Sequence, residues 1–303
     1  MREEVLKRIG INVIDEAKIR VFVDTDCKNE ADDQFALVHF LLTPKFEICG
    51  VNATHFEAKA HSKKSMLDSY KEIKKVLELA EMEDVNCYKG STKPINEGIE
   101  ESEGALAIIK EAKKKGKLFI ACLGALTNVA TALKIDSSIS DNICILWNGG
   151  HPYSSPRPEF NVMQDIKACQ IVLESDAEIW QIPQDVYSKL EVSLAELKLK
   201  VFPYGKIGNY LYSQLENIYK TEYNPFFLLR SGENWTLGDN SLIFALIINQ
   251  YRDFITYRKA PKINDNGLYE GSSSKKMIKV FTDIDVRFTL EDFFSKLALV
   301  YKD

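Results

Sequence analysis

The sequence predicts an α/β fold with a mainly parallel central sheet flanked by helices. Two observations carry this. Short apolar runs of strand length alternate with stretches whose apolar residues recur every three or four positions, the pattern of strand–helix–strand units. No Gly/Ser/Pro-rich linker, internal repeat or low-complexity tract interrupts the 303 residues, so a single domain over 1–303 is expected.

Taken in order, residues 1–16 read as a short helix or extension. The first strand covers about 19–24 and its helix about 32–42. A second strand, FEICGVNAT at about 46–54, leads into a long helix at about 59–82 carrying Met66, Ile73, Val76, Leu77 and Leu79. A short strand near 85–88 precedes the turn-rich KGSTKPINEG. A helix at about 103–115 ends in KKKG, with cations at its C-terminus and Gly116 as a stop. LFIACLG (118–124) is a buried strand, and LTNVATAL (126–133) opens a helix. ICILWNGG (143–150) and AEIWQIP (177–183) are further strands, with a helix beginning near Gln164 between them. The stretch 190–260 is expected to be helical and to pack beside the sheet. A late strand pair and a final helix close the chain.

Composition narrows the function classes. The net charge of −5 gives no general attraction to nucleic acid or an anionic membrane surface. No run of about 18 apolar residues is present, and the N-terminal MREEVLKRIGINVIDEAKIR lacks the apolar core of a signal peptide. The six cysteines are scattered without a C-x-x-C pair, several in apolar strand-like runs. That usage fits buried reduced thiols in a cytoplasmic protein.

The chemistry concentrates in VFVDTDCKNEADDQFALVHFLL, residues 21–42. A strand ends in Asp24 and Asp26, a polar loop carries Asn29 and Glu30, and Asp32 and Asp33 open a helix. One or two acidic residues at a helix start are explained by capping and the helix dipole. Four carboxylates within ten residues repel one another, and a hard divalent cation would compensate them. In open α/β sheets, ligands sit at the carboxyl ends of the strands. That rule places 24–33, 54–57, 124–128 and 148–161 on one rim.

Four segments, DTD…DDQFAL (24–37), GALTNVATAL (124–133), EFNVMQDIKA (159–168) and GDNSLIFAL (238–246), resemble the inosine–uridine nucleoside hydrolases in motif and in order. That family cleaves N-glycosidic bonds of ribonucleosides using Ca²⁺ and is commonly dimeric or tetrameric, so a homodimer or homotetramer with a small-molecule nucleoside or N-riboside substrate is implied. By the resemblance, Asp26 binds the metal and acts as general base toward its water. Asp33 and Asp239 are metal ligands, Thr127 supplies its main-chain carbonyl, and Asp24 is a supporting carboxylate. Asp32, Glu159 and Asn161 hold ribose hydroxyls.

The sequence departs from the family in four places. Five residues, CKNEA, separate Asp26 from the aspartate pair where three are usual, so Asn29 or Glu30 is a candidate for a ligand or sugar role. Gly238 stands where the family has a late His, the leaving-group acid of members that have it. Glu57 stands where a sugar-binding Asn is expected. Tyr153 falls near another expected Asn. Candidate acids are then His55, His151, Tyr153, Tyr223 or groups beside Trp235, and Tyr219, Tyr223, Phe226, Phe227 and Trp235 are candidates to stack on a base. Two competing readings stand beside the hydrolase. One is a non-catalytic nucleoside or sugar binder of the same fold. The other is a haloacid-dehalogenase-like phosphatase with Asp24 as nucleophile and Mg²⁺ as its metal.

Overall fold

The computed structural model describes residues 1–60, 62, 64–221, 232–250, 253–272 and 275–302. The first strand, β1 (Ile19–Thr25), shows why the sheet forms where it does. Val21, Phe22 and Val23 are all fully buried, because side chains alternate between two faces and both faces are covered. Val21 and Val23 join one core cluster and Phe22 the other.

The remaining strands are β2 (Phe46–Ala53), β3 (Cys87–Lys89), β4 (Leu118–Cys122), β5 (Ile143–Asn148), β6 (Glu178–Ile182), β7 (Glu191–Ser193), β8 (Asn234–Thr236), β9 (Ile255–Lys259) and β10 (Met277–Phe281). Eight of them form one sheet in the order β3-β2-β1-β4-β5-β6-β10-β9. Every neighbouring pair is parallel except β10 and β9. The order runs outward in one direction from β1 through β2 and in the other through β4. The gap between the carboxyl ends of β1 and β4 is therefore a topological switch point, the place where such sheets bind ligands.

Helices α1 (Arg2–Lys7), α2 (Asp33–Leu41), α3 (Glu57–Ala60) and α4 (Ser65–Leu79) come from the first part of the chain. Helices α5 (Glu103–Ala112), α6 (Thr127–Ile135), α7 (Phe160–Gln164) and α8 (Ile166–Glu174) follow. The last are α9 (Gln184–Tyr187), α10 (Leu194–Lys200), α11 (Gly205–Thr221), α12 (Ser241–Ile247) and α13 (Val286–Tyr301). Side chains of α5, α6 and α8 pack with Phe22, Ile120 and Ile145 on one face. Those of α2, α4 and α10–α13 pack with Val21, Val23 and Leu146 on the other.

The structure differs from the expected elements in two places. The long helix at 59–82 is two helices, α3 and α4, with a break before Ser65. The stretch 190–260 is mixed: it contributes α10–α12, the antiparallel pair β7–β8, and the edge strand β9. Among the described residues, no helix is long and apolar enough to cross a membrane.

Every residue of α2 is buried, so its one histidine must be satisfied internally. His39 Nδ1 accepts from Asn240 Nδ2 at 3.0 Å, and Nε2–H donates to Asp292 Oδ2 at 2.8 Å. Lys296 holds Asp292 from the next turn of α13 and donates to Thr43 Oγ1 at 3.1 Å. This network fastens α2 to α13 and to the residue beside Asp239. Burial lowers the His39 pKa from 6.5 to about 4. A folded value below the unfolded one contributes stability above pH 6.5, which is lost as pH falls toward 4. Wild type is expected to lose about 2–3 kcal/mol more than His39→Gln between pH 7.5 and 4.5. Urea midpoints of the two proteins check this, and parallel curves would refute it.

Candidate active site

The loop from β1 to α2 builds one wall. Asp26 packs its carboxylate on Gly124, at the end of β4, where an added Cβ would lie 2.4 Å from Asp26 Oδ1. Glycine there is what lets the two strand ends approach. The longer 27–31 loop folds back at once: the amides of Lys28 and Asn29 donate to the Asp26 carbonyl at 2.5 and 2.7 Å. Gln34 Nε2 then donates to the Cys27 carbonyl at 2.6 Å and to Glu72 Oε1 at 3.3 Å. Lys28 pairs with Glu72 Oε2 at 3.2 Å, and the Tyr210 hydroxyl donates to Glu72. The extra residues are absorbed in this pinned turn, and the aspartate pair still reaches the site.

Asp32 precedes α2 and Asp33 is its first residue. Asp239 comes from a single 3₁₀ turn ahead of α12. Oxygens of Asp32, Asp33 and Asp239 all lie within 4.8 Å of one another. Thr25 Oγ1 donates to Asp33, and Asn148 Nδ2 donates to Asp239 Oδ1 at 2.7 Å. Ser241 Oγ orients that amide by donating to Asn148 Oδ1 at 3.0 Å. All three carboxyl pKa values are pushed well up, first by burial. The next cause is a neighbouring carboxylate: Asp33 for Asp32, Asp26 for Asp33, and Asp32 for Asp239. Buried like charges raise one another in this way.

The opposite wall is Glu159, Phe160 and Asn161 at the start of α7, with Gln184, Tyr187 and Ser188 at α9. Glu159 caps α7, accepting from the amides of Asn161 and Val162 at 3.2 and 3.1 Å. Both Asn161 amide N–H groups are spent on main-chain carbonyls, Leu123 at 2.6 Å and Asn148 at 2.8 Å. The cavity enclosed is about 280 Å³ and is lined by Asp26, Asn29, Glu30, Asp32, Asp33, Glu159, Asn161 and Asp239 among others.

Three expected site residues lie off this wall. Asp24 is fully buried and accepts from Asn128 Nδ2 at 2.8 Å, and burial raises its pKa to about 7. An enclosed carboxyl of this kind is not a presented nucleophile, which removes the basis of the phosphatase scheme. Thr127 is the first residue of α6, and its hydroxyl donates to Asp165 Oδ2 at 2.7 Å. The β4-end residue lining the cavity is Leu123 instead. Glu57 opens α3 and is not on the wall. Asp32, expected on the sugar side, sits inside the carboxylate group.

Three of the proposed leaving-group acids, His55, His151 and Tyr153, also lie off this wall. His151 Nδ1–H donates to the Pro152 carbonyl at 2.8 Å, and its Nε2 accepts from the Tyr269 amide at 2.9 Å. His55 Nε2 bonds Thr127 Oγ1 at 2.8 Å, and the Tyr153 hydroxyl donates to Gln181 at 2.8 Å. Trp235 is buried in β8 and is not on the wall, while its neighbour Thr236 lines the cavity. Tyr223, Phe226 and Phe227, and the side chain of Tyr219, lie outside the described residues. Sequence reasoning put Asn148 on the rim without assigning it a role, and missed Gln184 and Tyr187. The last two follow β6 on the same rim, so the strand-end rule that placed the other loops points to them too.

The model of the inosine-uridine preferring nucleoside hydrolase family matches residues 21–291. Uridine nucleosidase 1 of Arabidopsis thaliana is 26% identical over 205 residues, 57% of this chain and 59% of that protein. The chain thus matches about three fifths of that relative's length. In fold, a purine-preferring ribonucleoside hydrolase from Gardnerella vaginalis superposes with a TM-score of 0.74 at 20% identity, covering 94% of this chain and 99% of that one. A plant nucleoside hydrolase superposes with a TM-score of 0.70 at 17% identity, over 92% and 98% of the two chains. With the family model spanning most of its length, the chain belongs to the inosine-uridine preferring nucleoside hydrolase family.

Proposed function

We propose that the protein hydrolyses the N-glycosidic bond of a ribonucleoside or related N-riboside with the help of Ca²⁺. The observation that carries the reading is the tight group of half-buried Asp32 with buried Asp33 and Asp239, all three lining a cavity of about 280 Å³. Three carboxylates so close and so shielded are costly unless a cation compensates them. The donor set is oxygen alone, which suits a hard divalent ion, and Ca²⁺ takes six to eight such ligands. Asp32, Asp33 and Asp239 would hold it, with Asp26 beside them. When bound, the ion supplies positive charge that orients water and sugar hydroxyls and eases loss of a proton.

The chain's own groups do the rest. Asp26, fixed against Gly124, takes the proton of the attacking water. The oxocarbenium-like state develops positive charge on the sugar, and the fixed carboxylates stabilise it. Asn161, its N–H groups spent, offers only its carbonyl oxygen, an acceptor for a sugar hydroxyl. Asn29 and Glu30 extend the acceptor-rich wall. All six cysteines are free thiols, which fits a reducing, cytoplasmic setting. We include a homodimer or homotetramer in this reading, and sedimentation measures it directly.

Incubating the protein with a panel of ribonucleosides and Ca²⁺, and assaying free ribose, is the direct test. Release of ribose from at least one member is expected. No release from any ribonucleoside or other N-riboside would remove the hydrolase reading.

A further inference from the structure

Glu159 carries more hydrogen bonds than a helix cap needs. It is fully buried. Oε2 accepts from the amides of Gly150 at 2.9 Å and Val162 at 3.1 Å. Oε1 accepts from the Asn161 amide at 3.2 Å and the Tyr187 hydroxyl at 2.8 Å. A carboxylate has about four acceptor positions, and here all four are filled. Three of the donors are main-chain amides. The fourth is a side chain on the cavity wall.

Tyr187 reaches that position because of Gly238. A Cβ added at Gly238 would lie 3.0 Å from Tyr187 Cδ2 and 3.5 Å from Asp32 Oδ2. A side chain at 238 would therefore press on the tyrosine ring. The small residue at 238 and the large one at 187 form a matched pair, and the ring occupies space on the cavity side of the 3₁₀ turn carrying Asp239.

We propose that Tyr187 is a specificity-determining residue: its hydroxyl takes the Glu159 position that a sugar hydroxyl would otherwise occupy. The site therefore gains nothing from one hydroxyl of the sugar and accepts ribosides in which that hydroxyl is replaced by hydrogen. This rests on the hydrolase reading only in taking a riboside as the ligand.

The test uses a ribonucleoside and its 2′-, 3′- and 5′-deoxy analogues. Binding is measured by calorimetry and turnover as separate kcat and KM, for wild type, Tyr187→Phe and Gly238→Ala. Wild type is expected to bind one analogue within about threefold of the parent. Tyr187→Phe frees the Glu159 oxygen, so the parent gains about tenfold over that same analogue, a charge-assisted hydrogen bond's worth. The gain appears in KM and in binding, with kcat little changed. Gly238→Ala crowds the ring and shifts the ratio in the same direction, which decides the matter even if Tyr187→Phe folds poorly. Unchanged parent-to-deoxy ratios for all three analogues in both variants would overturn the proposal. Riboside binding without cleavage would sink the hydrolase reading alone, and the binding ratios would still judge Tyr187. No binding of any riboside would overturn both.

Discussion

Asp26→Asn is expected to lower kcat for riboside cleavage about a thousandfold, with KM changed little. A positioned general base contributes about 10²–10⁴ in rate, and a thousandfold loss is about 4 kcal/mol of barrier. Asparagine keeps the shape of the side chain but cannot accept the proton. The tight carboxylate group comprises Asp32, Asp33 and Asp239, so the variant is expected to keep cation binding, measurable as Ca²⁺-induced thermal stabilisation. That separates loss of the base from loss of the metal. Gly124→Ala is a second probe of the same geometry, since its Cβ would fall 2.4 Å from Asp26 Oδ1. It removes no chemical group yet must move the carboxylate, and misplacement of about 1 Å costs about a hundredfold. An Asp26→Asn enzyme within tenfold of wild type would show that another group takes the proton.

The sheet was legible because each strand is a short apolar run bounded by polar residues, and β1, β2, β4, β5 and β6 fall within a few residues of their expected places. The rim was legible for the same reason: strand ends fix where loops gather. Detail inside the rim was not. Motif position locates a strand–helix junction but not which residue faces the cavity. Thr127 already belongs to α6, where a helical residue's carbonyl is directed at the amide four positions on, and Leu123, four residues earlier, lines the site. Counting along 55–59 put Glu57 at the sugar, but the unexpected helix break at α3 changes what that register means. Tyr187 had only the strand-end signal it shares with Gln184. Its role depends on the absent Cβ of Gly238, fifty-one positions away in sequence, and only packing joins them. The 27–31 loop is the converse case. Its added length suggested a displaced aspartate pair, yet Gln34, Glu72 and Lys28 fold the extra residues out of the way.

Removing divalent cations is expected to weaken the fold as well as the activity, and more so at higher pH. Asp32, Asp33 and Asp239 all have folded pKa values pushed well above the ordinary carboxylate range. Without a cation the native state therefore holds protons that the unfolded chain releases. Stability from these groups is full below the unfolded carboxylate pKa, about 4, and falls as pH rises through the raised folded values. Ca²⁺ replaces those protons with a bound charge, so its benefit grows with pH. At about one hundred times its dissociation constant, a ligand specific for the native state stabilises by about 2.7 kcal/mol. For a chain of this size that is about 5 °C in melting temperature. Asp33→Asn and Asp239→Asn should each remove most of the shift, because each takes one ligand from a group of three. Each single substitution should also raise the melting temperature of the cation-free protein at pH 8, since it relieves repulsion between buried like charges. A metal-binding cluster predicts both changes together: less response to Ca²⁺ and more stability without it. A cluster that binds no cation predicts only the second change, with no response to Ca²⁺ in any of the proteins. Equal melting curves in Ca²⁺ and in chelator at pH 8, with riboside cleavage unaffected by chelation, would show that these carboxylates are not a cation site.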